Sequence, residues 1–506
     1  MTEFNRRMTA LDAGFLYFER PNALLHVGGV YTFAEPIELK DIVQDVKHRL
    51  GLIPRYTHRA VAVPFNLGHP TWEIDPEFNI ANHILQHTLE DGHDDKALAR
   101  LCAKLFAKPL DRSKPLWEMH LIQGYKKGCA VLAMTHHCMI DGASGIQLVN
   151  LLMDPSPTAS PREVPALPLA SELPSPFAQA LDGFLDSTRA QIDAGKQFAN
   201  LLRSPTKALK QARETIEAGA SMARQMLAWA PSTPFNGALS DRRTIAWAPF
   251  SLNEVKTVKD RFGSTVNDVI LCVITGALRR YLEASGVDIT GLELKTIVPV
   301  NVRSEEEKQN LGNRVSTLVA PLPIGIADPV VRLRAISGDM EVLKHSGQAT
   351  QLDRVVAVAG FVPPMLQSTV GVFQSLVTPA NTICTNVPGP REARYMLGKR
   401  VQVMVPLVPL AAGMGLGFAI LSYADQITIG VNADAERVRN AWKIADAIKS
   451  SYEELWDATG LERVHGRKHV ESALERRQRH EAKRNDLAAE PEAEAPVERR
   501  ADSPPS

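Results

Sequence analysis

The stretch Thr135-His136-His137-Cys138-Met139-Ile140-Asp141-Gly142 follows the apolar run Val131-Leu132-Ala133-Met134. Successive side chains of an extended segment point to opposite faces, so the two histidines are expected on opposite faces of a strand. The aspartate and glycine that follow predict a turn, and apolar residues at helical spacing over 143–153 predict a helix. The sequence therefore predicts a strand, a sharp loop and a helix, with titratable side chains where the strand ends.

Several chemical interpretations of this stretch are open on the residues alone. A histidine on an apolar strand is more often a core residue than a catalyst, although an imidazole also suits acid–base chemistry near neutral pH. A metal site built from His136, His137 and Asp141 is disfavoured because neighbouring strand positions do not converge on one ion, and none is predicted. Cys138 is disfavoured as a nucleophile because it faces away from His137.

Composition limits the architecture and the partners. A chain of 506 residues is too long for one core, which predicts two domains of similar size with a linker and a tail. Lys plus Arg and Asp plus Glu balance at 57 each, so nothing in the net charge favours nucleic acid. The five cysteines lack metal or disulfide spacing and indicate reduced thiols in the cytoplasm.

Shifts in composition predict four segments. Residues 1–154 carry the histidine stretch, and residues 155–232 begin with a proline-rich linker followed by helices. Residues 233–460 form a second half, and the charged tail 461–506 is expected to be disordered. For the helices of 177–226 we favour packing between the two halves with a solvated basic face over a membrane-facing surface.

Membrane-spanning segments are not expected. The N-terminus lacks the apolar segment of a signal peptide. The charge-free runs 355–390 and 401–424 are long enough to span a bilayer, but proline, glycine and polar residues interrupt both. They are predicted to be buried strands and helices, which leaves only peripheral contact with a membrane.

Other motifs have ordinary structural explanations. Pro115-Leu116-Trp117 predicts a core tryptophan at the start of a strand, and Thr265 predicts a helix cap ahead of Asn267 and Asp268. Arg303 follows a strand-like run and could be solvated. The prolines and glycine of 386–390 (NVPGP) predict a turn.

Together these motifs resemble, in order and to about residue 460, the bacterial wax ester synthase/diacylglycerol acyltransferase family. Besides HHxxxDG at 136–142, the opening LDAGFLY (11–17), PLW, ND, NVRS (301–304) and NVPGP carry the resemblance. This family belongs to the HHxxxDG acyltransferases with chloramphenicol acetyltransferase and condensation domains. The resemblance implies an α/β fold of two chloramphenicol-acetyltransferase-like halves around a central channel, joined by a partly helical linker.

The resemblance also implies residue roles. His137 would be the general base, while His136, Asp141 and Gly142 would support the loop. Asn267, beside Asp268, is our candidate for stabilising the oxyanion, and direct transfer would need no covalent acyl-enzyme. Arg303 is expected to pair with Asp141, where removing one partner of a buried ion pair costs ~3–5 kcal/mol.

The substrates implied are acyl-CoA as co-substrate and a fatty alcohol or diacylglycerol as acceptor, with no permanently bound cofactor. Two alternatives remain open: an acyltransferase of this fold that uses another complex-lipid or carrier-bound hydroxyl, and a non-catalytic lipid-binding protein. The expected location is the cytoplasm, with peripheral association at the inner membrane face or at lipid droplets. The sequence leaves the acceptor, the acyl chain length and the oligomeric state open.

Overall fold

The computed structural model describes residues 6–140, 142–158, 163–167, 175–186, 188–189, 230–301, 315–345 and 380–462. The described residues up to 459 belong to one compact unit, and residues 460–462 belong to a second unit. The elements described below belong to the first unit. They build two six-stranded sheets, each with parallel and antiparallel neighbours.

The predicted histidine strand lies inside the first sheet, between two antiparallel neighbours. A minor two-stranded sheet, β2 (His58–Val61) with β3 (Thr71–Ile74), lies in the same half. From edge to edge the strands of the first sheet are β12 (Tyr395–Met396), β13 (Lys399–Leu407), β1 (His26–Phe33), β6 (Gly128–His136), β5 (Trp117–Tyr125) and β4 (Ile84–Thr88).

Helices cover both faces of this sheet. The helices are α1 (Ala10–Phe18), α2 (Leu39–Arg49), α3 (Asp95–Phe106) and α4 (Gly142–Leu152). Leu132 of β6 packs in an apolar cluster with Leu98 of α3, whereas Val131 packs in another cluster with Ile42 of α2 and Val149 of α4. The alternation predicted for the histidine strand is therefore confirmed, and the strand is buried on both faces.

Two strands of the first sheet, β12 and β13, come from the C-terminal part of the chain. The sequence assigns residues 399–407 to the second half, yet β13 pairs antiparallel with β1, with Val30 opposite Val405. The pairing of β13 with β1 covers the edge of β1, whose unpaired backbone groups would otherwise need other partners. Apolar alternation indicates that a strand is buried, but it does not indicate which sheet the strand joins. The predicted limits of the linker and of the two halves stay predictions.

The second sheet lies in the C-terminal half. Its strands pack in one apolar core with four helices, which are α5 (Leu252–Phe262), α6 (Val266–Ala284), α7 (Pro329–His345) and α8 (Ala441–Asp457). A short pair, β7 (Asn236–Gly237) with β14 (Gly413–Met414), lies beside it. From edge to edge the strands are β10 (Val315–Leu322), β9 (Leu294–Asn301), β11 (Thr382–Pro388), β15 (Leu416–Tyr423), β16 (Gln426–Asp434) and β8 (Arg243–Ser251).

The two long charge-free runs can be compared with these elements. Residues 401–424 form strands, as predicted, while most of 355–390 lies outside the described residues. Among the described helices, none is by itself long and apolar enough to cross a membrane. Of the helix pairs in the described ranges, α5 with α6 reaches that length and composition, and the two helices are bent by 97°.

Candidate active site

His137 lies in the tight turn that follows β6, and its side chain is only partly buried. Its backbone N–H donates to the carbonyl of Leu25, at 2.8 Å, so the turn is fixed to the residue that precedes β1. The N–H of Met139 donates to the carbonyl of His136, at 2.9 Å, which closes the turn. The backbone therefore fixes where the His137 side chain begins, and the imidazole stays accessible.

The ring of Phe15 stacks on the His137 imidazole, with ring centroids 4.0 Å apart and an interplanar angle of 16°. Phe15 lies on α1, so this helix contacts the histidine directly. Stacking limits the rotation of the imidazole about its side-chain bonds, and it shields one ring face from water. The contact therefore fixes the plane of the ring and covers one of its faces.

His136 has a different environment, since its side chain is buried. The N–H of Cys138 donates to His136 Nδ1, at 3.2 Å, so the imidazole proton lies on Nε2. That nitrogen lies 3.3 Å from Glu19 Oε1. Both ring nitrogens of His136 are thus directed at protein atoms, which suits a supporting role.

Glu19, just after α1, connects three parts of this region. Its carboxylate accepts from the N–H of Leu25, at 3.0 Å, and from Arg112 Nη2, at 2.7 Å. Burial alone would raise the pKa of Glu19, but His136, Arg112 and the Leu25 N–H lower it to about 2. Glu19 is therefore ionised at neutral pH and holds His136 together with the segment that bonds to His137.

Two other titratable groups nearby are buried without a reactive role. His26, directly opposite His136 in the sheet, contacts the Phe106 carbonyl through Nε2 at 2.7 Å. Burial lowers the pKa of His26 to about 4, so its ring is neutral at pH 7 and serves packing. Burial also raises the pKa of the Cys138 thiol well above its ordinary value, which argues against a thiolate nucleophile.

The PLW segment supports the end of the histidine strand. The Leu116 carbonyl accepts from the N–H of His136, at 2.9 Å, and Trp117 Nε1 donates to the Tyr56 carbonyl, at 2.8 Å. The hydroxyl of Tyr56 in turn bonds to Thr135 Oγ1, at 2.8 Å. The tryptophan is a core residue, as predicted, and its neighbours fix the last residues of β6.

A cavity of about 610 Å³ opens beside the start of β1. Arg20, Asn22 and Ala23 line it from the first half, and segments around 230–239, 380–381 and 412–413 line it from the second. His137 is not among the lining residues. The cavity is therefore an open cleft that both halves line, close in the chain to Leu25, which bonds to the histidine turn.

Two sequence profiles match this chain over most of its length. The wax ester synthase/diacylglycerol acyltransferase catalytic domain matches residues 8–270, and the C-terminal domain of that family matches residues 311–456. The chain belongs to this family. It is accordingly an acyltransferase, and the resemblance inferred from the motifs is confirmed.

Named relatives agree with this assignment. A probable diacylglycerol O-acyltransferase, tgs1, of Mycobacterium tuberculosis is 31% identical over 457 residues, which cover 88% of this chain and 95% of the relative. A putative diacylglycerol O-acyltransferase of Mycobacterium bovis matches with the same identity and coverage.

Solved structures support the predicted fold. The wax ester synthase/diacylglycerol acyltransferase from Marinobacter aquaeolei VT8 matches with a TM-score of 0.63 and 21% identity, covering 90% of this chain and 100% of that one. The first condensation domain of the CDA synthetase matches with a TM-score of 0.55 and 14% identity, covering 91% and 97%. At these identities the likeness concerns the fold alone, and the mixed α/β architecture with two sheet-rich halves is confirmed.

The acyltransferase motifs of the second half contact each other. Thr265 caps α6, and Asp268 returns the contact by accepting from the Thr265 N–H at 3.0 Å. Asn386 of the NVPGP motif donates to Asn267 Oδ1, at 3.4 Å. Asn267 and Asp268 thus lie at the start of α6, where Asn267 connects the helix to β11. The oxyanion role of Asn267 stays a prediction.

The remaining predicted site residues are Asp141, Gly142 and Arg303. Asp141 and Arg303 lie outside the described residues, so their proposed ion pair stays a prediction. Gly142 begins α4, whereas the sequence pattern places it in the turn before a helix that starts at residue 143. Among the described residues, no group of three or more His, Cys, Asp or Glu could hold a metal ion.

Sequence reasoning missed the contribution of α1. Phe15 and Glu19 are four residues apart, a spacing that places both on one side of a helical turn, and they contact His137 and His136 respectively. Their i,i+4 spacing beside the LDAGFLY motif was the available signal. It could not identify the two histidines as partners, because they lie more than a hundred residues away in the chain.

Proposed function

We propose that this protein transfers a long-chain acyl group from acyl-CoA to the hydroxyl of a fatty alcohol or of diacylglycerol. Membership of the family supports the reaction class, and the names of the mycobacterial relatives support diacylglycerol as an acceptor. The observation that carries the proposal is a partly exposed His137 on a turn fixed by backbone and ring contacts. No resident cofactor is needed for this chemistry, and acyl-CoA serves as co-substrate.

In the proposed mechanism, His137 is the general base. Nδ1 of His137 is buried, and we assign the approach of the substrate hydroxyl to Nε2. As the acceptor oxygen attacks the thioester carbonyl carbon, Nε2 takes the hydroxyl proton. The resulting tetrahedral oxyanion then collapses, the carbon–sulfur bond breaks, and the imidazolium returns the proton to the CoA thiolate.

A covalent acyl-enzyme is not part of the proposal. A thiolate is a good leaving group, so direct attack by an activated hydroxyl suffices. Cys138 is buried with a raised pKa, which removes the adjacent candidate for acyl attachment. Asn267 is proposed as the donor to the oxyanion, since a transition-state charge requires a polar group directed at it.

The acceptor panel is the direct test. Thiol release from palmitoyl-CoA is measured with hexadecanol, with a diacylglycerol, or with no acceptor. We expect thiol release to depend on an acceptor. The amount of ester formed should equal the amount of thiol released. Equal release with and without acceptor would indicate hydrolysis and overturn the proposal, as would transfer only to hydroxyls that are not lipids.

Because these acceptors are poorly soluble in water, we also propose that the enzyme works at a membrane or lipid-droplet surface. Such contact would be peripheral, in keeping with the lengths and composition of the described helices. Lipid acceptors would then reach the protein from an interface rather than from solution.

A further inference from the structure

Residues 176–186 form a helix whose apolar side faces outward. Ser175 caps it, with its hydroxyl accepting from the N–H of Ala178 at 3.2 Å. Large apolar side chains on this helix are exposed, with Phe177 at 78% of its full accessibility. They recur at helical spacing and so form one stripe, which consists of Phe177, Leu181, Phe184 and Leu185.

The opposite side of this helix is polar and contacts the body of the protein. Arg7 Nε donates to Asp186 Oδ2 at 2.7 Å. A cavity of about 270 Å³ is lined by Gln179, Asp182 and Asp186 of this helix and by Arg6, Arg7 and Thr71 of the body. An ordinary surface helix buries its apolar stripe and exposes its polar side, so this helix is oriented in the reverse sense.

A glycine contact holds the helix close to the body. A methyl group added at Gly183 would lie 2.8 Å from Val63 Cγ1 and 3.1 Å from the backbone nitrogen of Gly68. From the sequence we favour packing of the helices of 177–226 between the two halves, with a solvated basic face, over a membrane-facing surface. In the described part that prediction is wrong, because the glycine contact and the Arg7–Asp186 pair bring the opposite side against the body.

A further exposed aromatic residue lies in the segment that packs against this helix. Phe65 is 84% accessible and has a left-handed backbone, with φ 57° and ψ 14°. It stands in the short turn between Val63 and Gly68, the two residues that pack on Gly183. A bulky residue at positive φ is unfavourable, and one that is also exposed gains nothing from core packing.

We propose that Phe65 and the stripe of Phe177, Leu181, Phe184 and Leu185 form a lipid-contacting surface, which inserts into the interface that supplies the acceptor. This inference rests on the proposed function. The stripe carries no charged side chain, which suits the apolar layer beneath lipid headgroups better than an anionic headgroup surface. Binding should therefore depend little on salt and on anionic lipid.

This surface is connected to the candidate active site. Tyr17 of α1 contacts His69 Nδ1 at 3.3 Å, next to Gly68 under the helix. One half-turn earlier on α1, Phe15 stacks on His137. The lipid-contacting surface is thus joined through α1 to the histidine turn.

The test measures flotation of the full-length protein with phosphatidylcholine vesicles that contain diolein. We expect the wild type to float, and the double variant Phe177→Ala, Phe184→Ala to lose at least about tenfold in vesicle affinity. Phe65→Asn keeps a residue that suits the left-handed turn. This variant should bind vesicles less tightly than the wild type, by a smaller factor than the double variant. The matched control is Val342→Ala, an exposed apolar residue on α7 with 69% accessibility, which should bind like the wild type.

Other outcomes would overturn the inference. These are failure of the wild type to float, equal binding by the double variant, or loss of binding at about 0.5 M salt, where electrostatic contacts are screened. A dimer by light scattering that the double variant abolishes, with vesicle binding unchanged, would assign the surface to a second copy of the chain.

An activity measurement separates this inference from the proposed function. With a short-chain acyl-CoA and a water-soluble alcohol, the double variant should match the wild type in kcat/KM, whereas transfer to vesicle-embedded diolein should fall with vesicle affinity. Absence of transfer in every wild-type assay would contradict the proposed function alone, since flotation does not require turnover.

Discussion

His136 and His137 are neighbours in the chain, yet their surroundings differ in almost every respect. His136 is buried, and Cys138 and Glu19 face its two ring nitrogens. His137 is partly exposed, and its main described side-chain contact is the ring of Phe15. The same residue type is thus buried at one position and partly exposed at the next, because His136 is the last residue of β6 whereas His137 lies in the turn that follows.

The largest expected effect in this comparison is on catalysis at His137. We expect His137→Ala to lower acceptor-dependent thiol release by about 10²–10⁴-fold, the usual contribution of a general base. The melting temperature should change little, since the ring is partly exposed. The control is His48→Ala, an exposed histidine on α2. Near-normal turnover in His137→Ala would remove the proposed base.

Substitution of His136 should affect stability as well as activity. His136→Ala leaves the Glu19 carboxylate without its imidazole neighbour and opens space in the core. We expect about 2–4 kcal/mol of lost unfolding free energy by urea denaturation. If His136→Ala were as stable as the wild type and equally active, the buried contact would have no supporting role.

A smaller, pH-dependent effect is expected at Glu19. Its folded-state pKa of about 2 lies below the ordinary value of 4.5, so its stabilisation is fully present above pH 4.5 and is lost as the pH falls toward 2. We expect Glu19→Gln to cost about 1–3 kcal/mol at neutral pH, with the difference from wild type shrinking over that acid range. Urea unfolding at several pH values measures this.

The matched control for Glu19 is Glu35→Gln, an exposed carboxylate paired with Lys399. That variant should change unfolding by less than about 1 kcal/mol, as exposed ion pairs do. A difference between Glu19→Gln and wild type that does not vary with pH would argue against an ionised, buried Glu19.

The smallest expected effect is at Phe15. Phe15→Leu keeps apolar volume but removes the stacked ring, so the imidazole gains rotational freedom. We expect kcat to fall by about three- to tenfold with little change in KM, compared with Phe18→Leu on the same helix as control. An unchanged kcat would show that the backbone bond to Leu25 is enough to orient His137.

Much of the local structure follows from sequence patterns. Apolar alternation located β6, helical periodicity located α2 and α3, and Thr265 marked the start of α6. The family motifs located the histidine turn, because its residue types and order are unusual together. These features depend on residues close in the chain, where spacing determines which side chains share a face.

Contacts between distant segments could not be predicted from the spacing of residues close in the chain. The insertion of β13 into the first sheet, the placement of α1 on the two histidines, and the outward stripe of helix 176–186 each depend on partners far away in sequence. Periodicity indicates that a helix has an apolar side but not which side meets the protein. The Arg7–Asp186 pair and the Gly183–Gly68 contact determine that orientation.

The sequence by itself determined the strand, turn and helix around His137 and the membership of an acyltransferase family. Only the tertiary structure decided which histidine is buried against Glu19, which is stacked by Phe15, and which apolar side chains remain outside the core. The physical reason is that propensity and alternation act over a few residues, whereas burial and ion pairing are set by whichever segments meet in the folded chain.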